Sequence, residues 1–284
     1  MNEYIHFSMH TMRQFKRIQQ LLDQLDPAGT AQAFIVPASP LPRGGVIVFA
    51  GSFNPPTIAH LAMLKQAYHY AHERAPMHVY AAISKHTIDK EVVERPLLLD
   101  RIMLLKTLLH RRLHHAGIML FNRGLYVEQA EAIHRSFPAV KHILFLMGFD
   151  KIVQVFDPRY YEDRDAALTE LFRLAQLLVA PRGNAGKREL EELLQQPQNQ
   201  PFARYVHALP FTNTYRTVSS TSVRQGMPVA MHEVPQEVRR FIYETRAYAA
   251  PLRRKDGHEV DYYAERVQQL NKLLCAMPPS IKGE

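Results

Sequence analysis

Thr57 and His60 are the residues whose types and spacing most directly suggest chemistry. They stand three apart where an amphipathic stretch predicts a helix near residues 58–73, so they share one helix face. The segment Gly51-Ser-Phe-Asn-Pro-Pro precedes them, and its glycine lets the backbone approach an anion above the helix N-terminus. A hydroxyl and an imidazole placed there could donate hydrogen bonds to a phosphoryl group in transfer. The alternative is a loop with an N-cap threonine and a half-buried histidine.

A second hydroxyl-rich segment, Val218-Ser-Ser-Thr-Ser-Val-Arg224, predicts another helix start. Its hydroxyls could cap that helix, and Arg224 follows about one turn later, where its guanidinium could bind a polyphosphate. Taken alone, the segment also fits a capped surface helix with a solvent-facing arginine. It lies about 160 residues after the first segment. Coincidence of both segments in this order is much less probable than either one alone.

Together the two segments resemble the phosphate-binding signatures of the nucleotidyltransferase superfamily, of the HxGH type. Gly51 to His60 is similar to Gly-x-Phe-x-Pro followed by His-or-Thr-x-x-His, with Thr57 as the variant first position. Residues 218–224 are similar to Ile-Ser-Ser-Thr-x-x-Arg, with valine replacing isoleucine. The sequence Ser-Phe-Asn-Pro-Pro-Thr further resembles the corresponding motif of the nicotinamide and nicotinate mononucleotide adenylyltransferases. The resemblance covers roughly residues 45–247.

A third segment follows the apolar run from His142 to Met147. Gly148-Phe-Asp150 and the later Val155-Phe-Asp-Pro-Arg-Tyr-Tyr161 are similar to the Gly-x-Asp and Phe…Trp patterns of the same adenylyltransferases. The chain has no tryptophan, so the resemblance assigns the ring that stacks on a pyridine to Tyr161, or failing that to Tyr160. A strand-end aspartate in a turn and a half-buried tyrosine pair are the structural alternatives.

The resemblance implies adenylyl transfer from ATP to a pyridine mononucleotide, which yields NAD or its deamido form and pyrophosphate. It implies three catalytic residues, Thr57, His60 and Arg224. The implied ATP-binding residues are Gly51, Ser52, Phe53, His60, Gly148, Asp150, Ser219, Ser220, Thr221 and Arg224. The implied mononucleotide-binding residues are Ser52, Phe53, Lys90, Tyr161 and Arg182.

Such a displacement needs positioning and charge stabilisation rather than a covalent intermediate, which suits a sequence without a nucleophile triad. Mg²⁺ is expected with ATP, because phosphates and water can hold it without a carboxylate cluster, and no protein metal site is expected. Two alternatives stay open. One is a nucleotidyltransferase acting on phosphopantetheine, flavin mononucleotide or a phosphorylated alcohol, and the other is a non-catalytic nucleotide-binding regulator.

The elements that must position these residues follow an alternating pattern of short apolar and longer amphipathic stretches. The apolar stretches lack strict alternation, which is typical of strands buried in a parallel sheet. We therefore predict an α/β fold, a Rossmann-like doubly wound parallel sheet with helical N- and C-terminal additions, and a ligand site at the carboxyl ends of its strands. The predicted strands are 46–50, 78–83, 117–121, 142–147, 175–180 and 205–209, and the predicted helices are 58–73, 95–115, 126–135 and 187–196.

Three segments are predicted: a helical extension and linker (1–43), the nucleotidyltransferase domain (44–250) and a helical extension (251–284). In the first, apolar residues recur at helical spacing from Met12 to Leu25. That stripe predicts packing against the protein's own core, with an oligomer contact as the alternative. In the last, a stripe that begins at Val260 predicts a final helix.

Composition limits the remaining classes. The 284 residues are 46% hydrophobic and 22% charged, which excludes a disordered chain. Neither a membrane span nor an export signal is visible, so a cytoplasmic protein with no membrane partner is expected. The net charge of +8 is scattered, so no nucleic-acid partner is expected. The single cysteine, Cys275, lies in an apolar pattern and is interpreted as a packing residue.

Overall fold

The computed structural model describes most of the chain. The described residues are 8–73, 77–85, 98–181, 185–210, 215, 217–225, 228–248, 252–253, 259–260 and 268. The helices are α1 (Met9–Gln24), α2 (Ile58–His72), α3 (Leu98–Arg112), α4 (Tyr126–Ser136), α5 (Phe149–Phe156), α6 (Arg164–Leu174), α7 (Lys187–Gln195), α8 (Ser220–Arg224) and α9 (Gln236–Thr245). The strands are β1 (Ala33–Ile35), β2 (Gly44–Ala50), β3 (Met77–Ser84), β4 (Gly117–Phe121), β5 (Val140–Gly148), β6 (Gln176–Ala180), β7 (Val206–Ala208), β8 (Leu252–Arg253) and β9 (Glu259–Val260).

Seven strands form one sheet in the order β1-β4-β3-β2-β5-β6-β7. Strands β2 to β7 are parallel, and only the edge strand β1 runs antiparallel, against β4. The chain winds from β2 through β3 to β4 on one side and then continues from β5 to β7 on the other. The direction of winding changes between β2 and β5, and the carboxyl ends of those two strands therefore flank the crevice in which this class of sheet binds ligands. The predicted fold class is confirmed.

The central strands form because both of their faces are covered. In β2, Ile47 and Phe49 point into one hydrophobic cluster, while Val46 and Val48 point into a second cluster on the opposite face. A strand that is apolar on both sides belongs in the middle of a parallel sheet with helices on each face. The six predicted strands and the four predicted helices all have counterparts in the described residues, with ends displaced by a few residues.

The N-terminal extension packs against the same core as the sheet. Helix α1 begins at Ser8, whose hydroxyl accepts from Thr11 N, and it buries Phe15, Ile18 and Leu22 in the cluster that also contains Ile47. Each such side chain contributes roughly 1.5–3 kcal/mol when fully buried. The apolar stripe of α1 thus covers the protein's own core, as predicted. The predicted boundary at residue 43 falls between β1 and β2 of one sheet and does not separate two cores.

Lys85, directly after β3, fixes the end of α1. Its Nζ donates to the carbonyl oxygens of Leu22 and Leu25 at 2.7 and 2.8 Å. These carbonyls lie at the C-terminal end of the helix, where a cation also compensates the negative end of the helix dipole. The N-terminal helix is therefore anchored at the carboxyl edge of the sheet.

Most of the predicted C-terminal helical extension lies outside the described residues, and its first apolar residue is in a strand. Val260, the first residue of the predicted helical stripe, lies instead in the short strand β9, which pairs antiparallel with β8. Gln268, farther along the stripe, is helical, so the difference concerns the start of the predicted helix. Cys275 and most of residues 251–284 lie outside the described residues. Within the described part of the chain, no helix combines the length and apolar character needed to span a membrane.

Candidate active site

The first signature occupies the loop between β2 and α2 at the switch point of the sheet. Gly51 N donates to the carbonyl of Ala82 at 3.0 Å, which holds the loop against β3. Phe53 has a backbone φ of 45°, and the following Asn54–Pro55 peptide bond is cis. A residue other than glycine in the left-handed region costs about 1–3 kcal/mol, so the surrounding contacts must hold this loop in shape.

Phe53 was predicted to contact both nucleotides, and the structure restricts that role. Its side chain is fully buried, and its ring packs against Phe49 and His60 at centroid distances of 5.5 and 5.1 Å. The ring is thus part of the hydrophobic core beneath the loop. Only the backbone of Phe53 can face a ligand, whereas the side chain of Ser52 is exposed.

Thr57 and His60 form a capping box at the start of α2. The Thr57 hydroxyl accepts from His60 N at 3.4 Å, and Thr57 N donates to His60 Nδ1 at 2.9 Å. The two side chains also touch, with 2.9 Å between Thr57 Oγ1 and His60 Nδ1. The predicted proximity of these two side chains is therefore present, but it results from mutual capping.

The predicted direct catalytic role of Thr57 stays a prediction, and the structure gives this residue a capping role. Thr57 is 1% exposed, and its hydroxyl faces the first turn of α2 rather than the open edge of the sheet. Thr57 acts here as the N-cap that orients His60.

The capping box decides where the proton of His60 sits. Because Nδ1 accepts a hydrogen bond from the Thr57 backbone, Nδ1 carries no proton in this arrangement, and Nε2 carries the proton of the ring. Phe49 and Phe53 hold the ring from two sides, with centroid distances of 5.7 and 5.1 Å. His60 is thus a rigid, half-buried donor at a helix N-terminus, which is suited to an anionic oxygen.

The second signature packs directly onto the first. Ser219 is the N-cap of α8, and its hydroxyl accepts from Thr221 N at 3.2 Å. The Ser220 hydroxyl donates to the carbonyl of Pro55 at 2.9 Å across 165 residues of sequence. Arg224 Nη1 donates to the carbonyl of Asn54 at 2.7 Å across 170 residues. The structure therefore brings both predicted signatures into one site.

These contacts give the hydroxyls of the second signature different tasks. Ser220 is committed to the first loop, and Thr221 is exposed and accepts from Arg224 Nη2 at 3.3 Å. Ser219 N donates to Glu233 Oε2 at 3.4 Å, which ties the start of α8 to the following turn. A guanidinium has five N–H donors, so Arg224 can hold Asn54 and Thr221 and still bind an anion.

Gly148 and Asp150 lie across the crevice. Gly148 is the last residue of β5 and the N-cap of α5, with no side-chain cap for that helix. Asp150 is exposed in the first turn of α5. Both residues thus lie beside the β2–α2 loop at the switch point, and their predicted contacts with the nucleotide stay a prediction.

Tyr161 is held at the end of the same helix. Its hydroxyl donates to the carbonyl of Val155 in α5 at 2.8 Å, and burial raises its pKa. Burial, together with the nearby phenol of Tyr161, also raises the pKa of Tyr126 at the start of α4. Tyr160, by contrast, is 56% exposed. Of the two tyrosines, Tyr161 is therefore the ordered ring.

Two predicted mononucleotide contacts, Lys90 and Arg182, lie outside the described residues. Ser84, which precedes the segment of Lys90, accepts a hydrogen bond from the buried amide of Gln129 at 3.0 Å. That contact orders the carboxyl end of β3. Within the ranges that the structure describes, no three His, Cys, Asp or Glu side chains are grouped to hold a metal ion.

Sequence reasoning missed two residues that contact the first loop, Arg101 and Tyr248. Arg101 of α3 is 4% exposed, and its Nη1 donates to the carbonyl of Ser52 at 3.2 Å. Asn54 is 1% exposed, and its Oδ1 accepts from the hydroxyl of Tyr248 at 2.7 Å. A signal existed for Arg101, because Asp100 and Arg101 interrupt an apolar helical pattern that would bury both charges. No local signal pointed to Tyr248.

The fold and the site define a class of protein. A doubly wound parallel sheet with a fixed imidazole, a helix N-terminus and an arginine gathered at its switch point is an arrangement for holding and transferring phosphate groups.

Comparison with known proteins gives the family. The cytidylyltransferase-like family matches residues 48–226, more than half of the chain, and the chain belongs to that family. The match begins within β2 and ends just after Arg224, so it contains both signatures. Residues 48–226 therefore form a nucleotidyltransferase-type domain.

One curated relative comes from Schizosaccharomyces pombe and bears a provisional name as a nicotinamide mononucleotide adenylyltransferase. It is 25% identical over 178 residues, which cover 60% of this chain and 66% of the relative. The chain thus matches just under two thirds of the relative's length.

Proposed function

We propose that this nucleotidyltransferase transfers the adenylyl group of ATP to nicotinamide or nicotinate mononucleotide. The main support for the proposal is the contact between the two phosphate signatures. Arg224 and Ser220 of the second signature donate hydrogen bonds to the loop that leads to His60. The provisional name of the fission yeast relative and the residues Ser-Phe-Asn-Pro-Pro-Thr of the first signature support a pyridine mononucleotide as the acceptor.

The reaction is a displacement at the α-phosphorus of ATP. A phosphate oxygen of the mononucleotide forms the new bond to phosphorus, and the bond from phosphorus to the oxygen that bridges to the β-phosphate breaks. Pyrophosphate leaves with that bond's electron pair. Negative charge is redistributed over the α-phosphoryl oxygens and the leaving oxygen, so fixed donors at those oxygens lower the barrier.

His60 and α2 supply donors for the α-phosphoryl group. The Nε2–H of His60 and the first N–H groups of α2 lie together at the start of that helix. The capping box leaves the imidazole ring little freedom, so these donors are fixed in place. Arg224 and the exposed Thr221 hydroxyl bind the β- and γ-phosphates, with Ser219 beside them at the start of α8. Ser220 contributes by supporting the loop.

The remaining predicted site residues bind the sugars and the acceptor. Gly51, Ser52 and Gly148 allow backbone contacts close to ATP, and the Asp150 carboxylate accepts from ribose hydroxyls. The Tyr161 ring stacks on the pyridine, because its hydroxyl is anchored to α5 and its face can serve as a platform. Lys90 and Arg182 bind the phosphate of the mononucleotide.

Magnesium enters as part of the ATP substrate and shields the charge of the phosphates when bound. The described residues fit that arrangement, since they offer hydrogen-bond donors to phosphates and no grouped carboxylates. The protein's own task is then to orient the phosphates and keep the reacting groups in line.

The test is pyrophosphate release from purified protein with ATP or CTP and a panel of phosphorylated acceptors. We expect release with ATP and with nicotinamide or nicotinate mononucleotide, and a dinucleotide product by mass spectrometry. The absence of tryptophan favours a second candidate, transfer to phosphopantetheine, flavin mononucleotide or a phosphorylated alcohol, which the same panel contains. Release with CTP alone would assign a different donor. Binding of ATP without release for any acceptor would favour a nucleotide-binding regulator.

A further inference from the structure

Asn54 joins the phosphate site to the part of the chain that follows α9. Its backbone carbonyl accepts from Arg224 Nη1 at 2.7 Å, and its side-chain Oδ1 accepts from the Tyr248 hydroxyl at 2.7 Å. The side chain of Asn54 is almost fully buried. A buried amide with a specific partner at this distance is an ordered contact, because leaving its oxygen without a hydrogen bond would be costly.

The chain reaches Asn54 through a sharp reversal after α9. That helix ends at Thr245, and Arg246 adopts a left-handed conformation with a φ of 50°. The reversal buries Ala247 and leaves Tyr248 half-buried beside the loop. A left-handed residue directly after a helix turns the chain back along it. The backbone conformation of Arg246 thus directs Tyr248 towards the loop.

Three neighbouring carbonyls of the loop accept from side chains of distant elements. Ser52 O accepts from Arg101, Asn54 O accepts from Arg224, and Pro55 O accepts from Ser220. With Tyr248 on the Asn54 side chain, these donors hold a loop whose Phe53 lies in the left-handed region. We call these four donors, Arg101, Ser220, Arg224 and Tyr248, the loop clasp. The clasp fixes the path of the backbone into Thr57 and hence the place of His60.

We propose that Tyr248 is a positioning residue for adenylyl transfer. Its hydroxyl fixes the Asn54 side chain, and the clasp then sets the angle at which α2 and His60 Nε2 meet the α-phosphate. This inference rests on the proposed function. Tyr248 touches neither substrate in this arrangement, so its removal changes turnover more than it changes binding of the acceptor.

Tyr248→Phe is the test variant, because it removes the hydroxyl and keeps the ring. The control is Tyr243→Phe, which makes the same change on α9 at a side chain that is 86% exposed. We expect Tyr248→Phe to lower kcat on the order of fivefold to tenfold, as befits the loss of one buried hydrogen bond. The KM of the acceptor should change little, the thermal midpoint should fall by a few degrees because the buried Asn54 oxygen loses its partner, and Tyr243→Phe should match the wild type throughout.

A second variant keeps the test independent of one substitution. Asn54→Leu has a similar volume and lacks Oδ1, so it should reproduce the loss in kcat. In the double variant the two losses should not multiply, since both remove the same hydrogen bond. Independent, multiplying effects would show that Tyr248 and Asn54 act separately and would overturn the inference.

Hydrogen exchange separates this inference from the proposed function. Tyr248→Phe should speed exchange of the amides in residues 51–60, and Tyr243→Phe should not. If the wild type releases pyrophosphate and Tyr248→Phe has the same kcat, the positioning role is wrong while the function stands. If the wild type is inactive with every acceptor, the proposed function fails, and hydrogen exchange then tests the loop clasp alone. Faster exchange of residues 51–60 in Tyr248→Phe would support the clasp, and unchanged exchange would overturn it.

Discussion

Two helices start at the same crevice and are built differently. Helix α2 begins after a buried loop, and the capping box of Thr57 and His60 fills its N-terminus. Helix α5 begins directly after β5 at Gly148, with no side-chain cap and with Asp150 exposed in its first turn. The capped end presents one imidazole in a fixed position, whereas the open end leaves backbone N–H groups and a carboxylate beside the crevice. Under the proposed function, this difference predicts that α2 serves the chemistry and that α5 serves substrate recognition.

The largest expected effect lies on the α2 side. His60→Ala should lower kcat by about 10² to 10⁴ and change ATP affinity much less, because the donor acts mainly on charge that develops in the transition state. Steady-state kinetics and calorimetric titration of a non-hydrolysable ATP analogue measure the two effects. His69→Ala on the exposed side of the same helix is the control. A change confined to KM would contradict the role in the transition state.

Arg224→Lys tests the contact between the second signature and the α2 loop. Lysine keeps the charge but cannot hold Asn54 O and a phosphate with one planar fork, so ATP affinity should fall by roughly 1–2 kcal/mol. Calorimetric titration with the same analogue measures this. An unchanged affinity would mean that Arg224 supports the loop alone and does not bind the phosphates.

Tyr161 tests the α5 side. Tyr161→Ala should weaken binding of the mononucleotide by about tenfold, and Tyr161→Phe should weaken it much less, because the stacking face remains although the hydrogen bond to Val155 O is lost. ATP affinity should barely move for either variant. Tyr160→Ala, at the exposed neighbour, is the control. If Tyr161→Ala raises the KM of ATP instead, recognition of the acceptor does not lie at α5, and the division between the two helices is wrong.

The smallest effect distinguishes capping from catalysis at Thr57. Thr57→Val keeps the shape of the buried side chain but removes the N-cap hydroxyl, so the free energy of unfolding should fall by about 1 kcal/mol. Urea denaturation measures that fall. The Thr57 N–H still donates to Nδ1, so kcat should fall far less than in His60→Ala. If Thr57→Val lowered kcat as much as His60→Ala does, the Thr57 hydroxyl would have a direct role at the phosphate.

The elements with a clear hydrophobic pattern could be predicted from sequence. Buried runs such as Gly117–Phe121 favour a strand in a sheet covered on both faces, because they are apolar throughout and too short for a buried helix. Helices α5 and α6 were missed because Asp157-Pro158 and the Asp163 cap break their patterns into short pieces. Strand β1 was missed because three residues in a proline-rich stretch pair only when β4 is beside them.

The candidate site was predicted in its residue types and only partly in its geometry. Spacing placed Thr57 and His60 on one face of a helix, but spacing cannot tell a side chain that caps the helix from one that faces solvent. The burial of Phe53 follows from the left-handed turn of the backbone, which the sequence letters do not encode. Tyr248 meets Asn54 across 194 residues, a contact that only the folded chain creates.

These long-range contacts also fix when the site can form during synthesis. All seven strands of the main sheet have left the ribosome once Ala208 has emerged, yet α8 and Tyr248 are still to come. Domains fold from the N-terminal side as they are made, and contacts between distant residues close last. An unfinished chain can therefore hold the sheet without the clasped loop. Such a nascent chain would have no organised site for ATP, and nucleotide turnover would begin only after its last supporting residue had been translated.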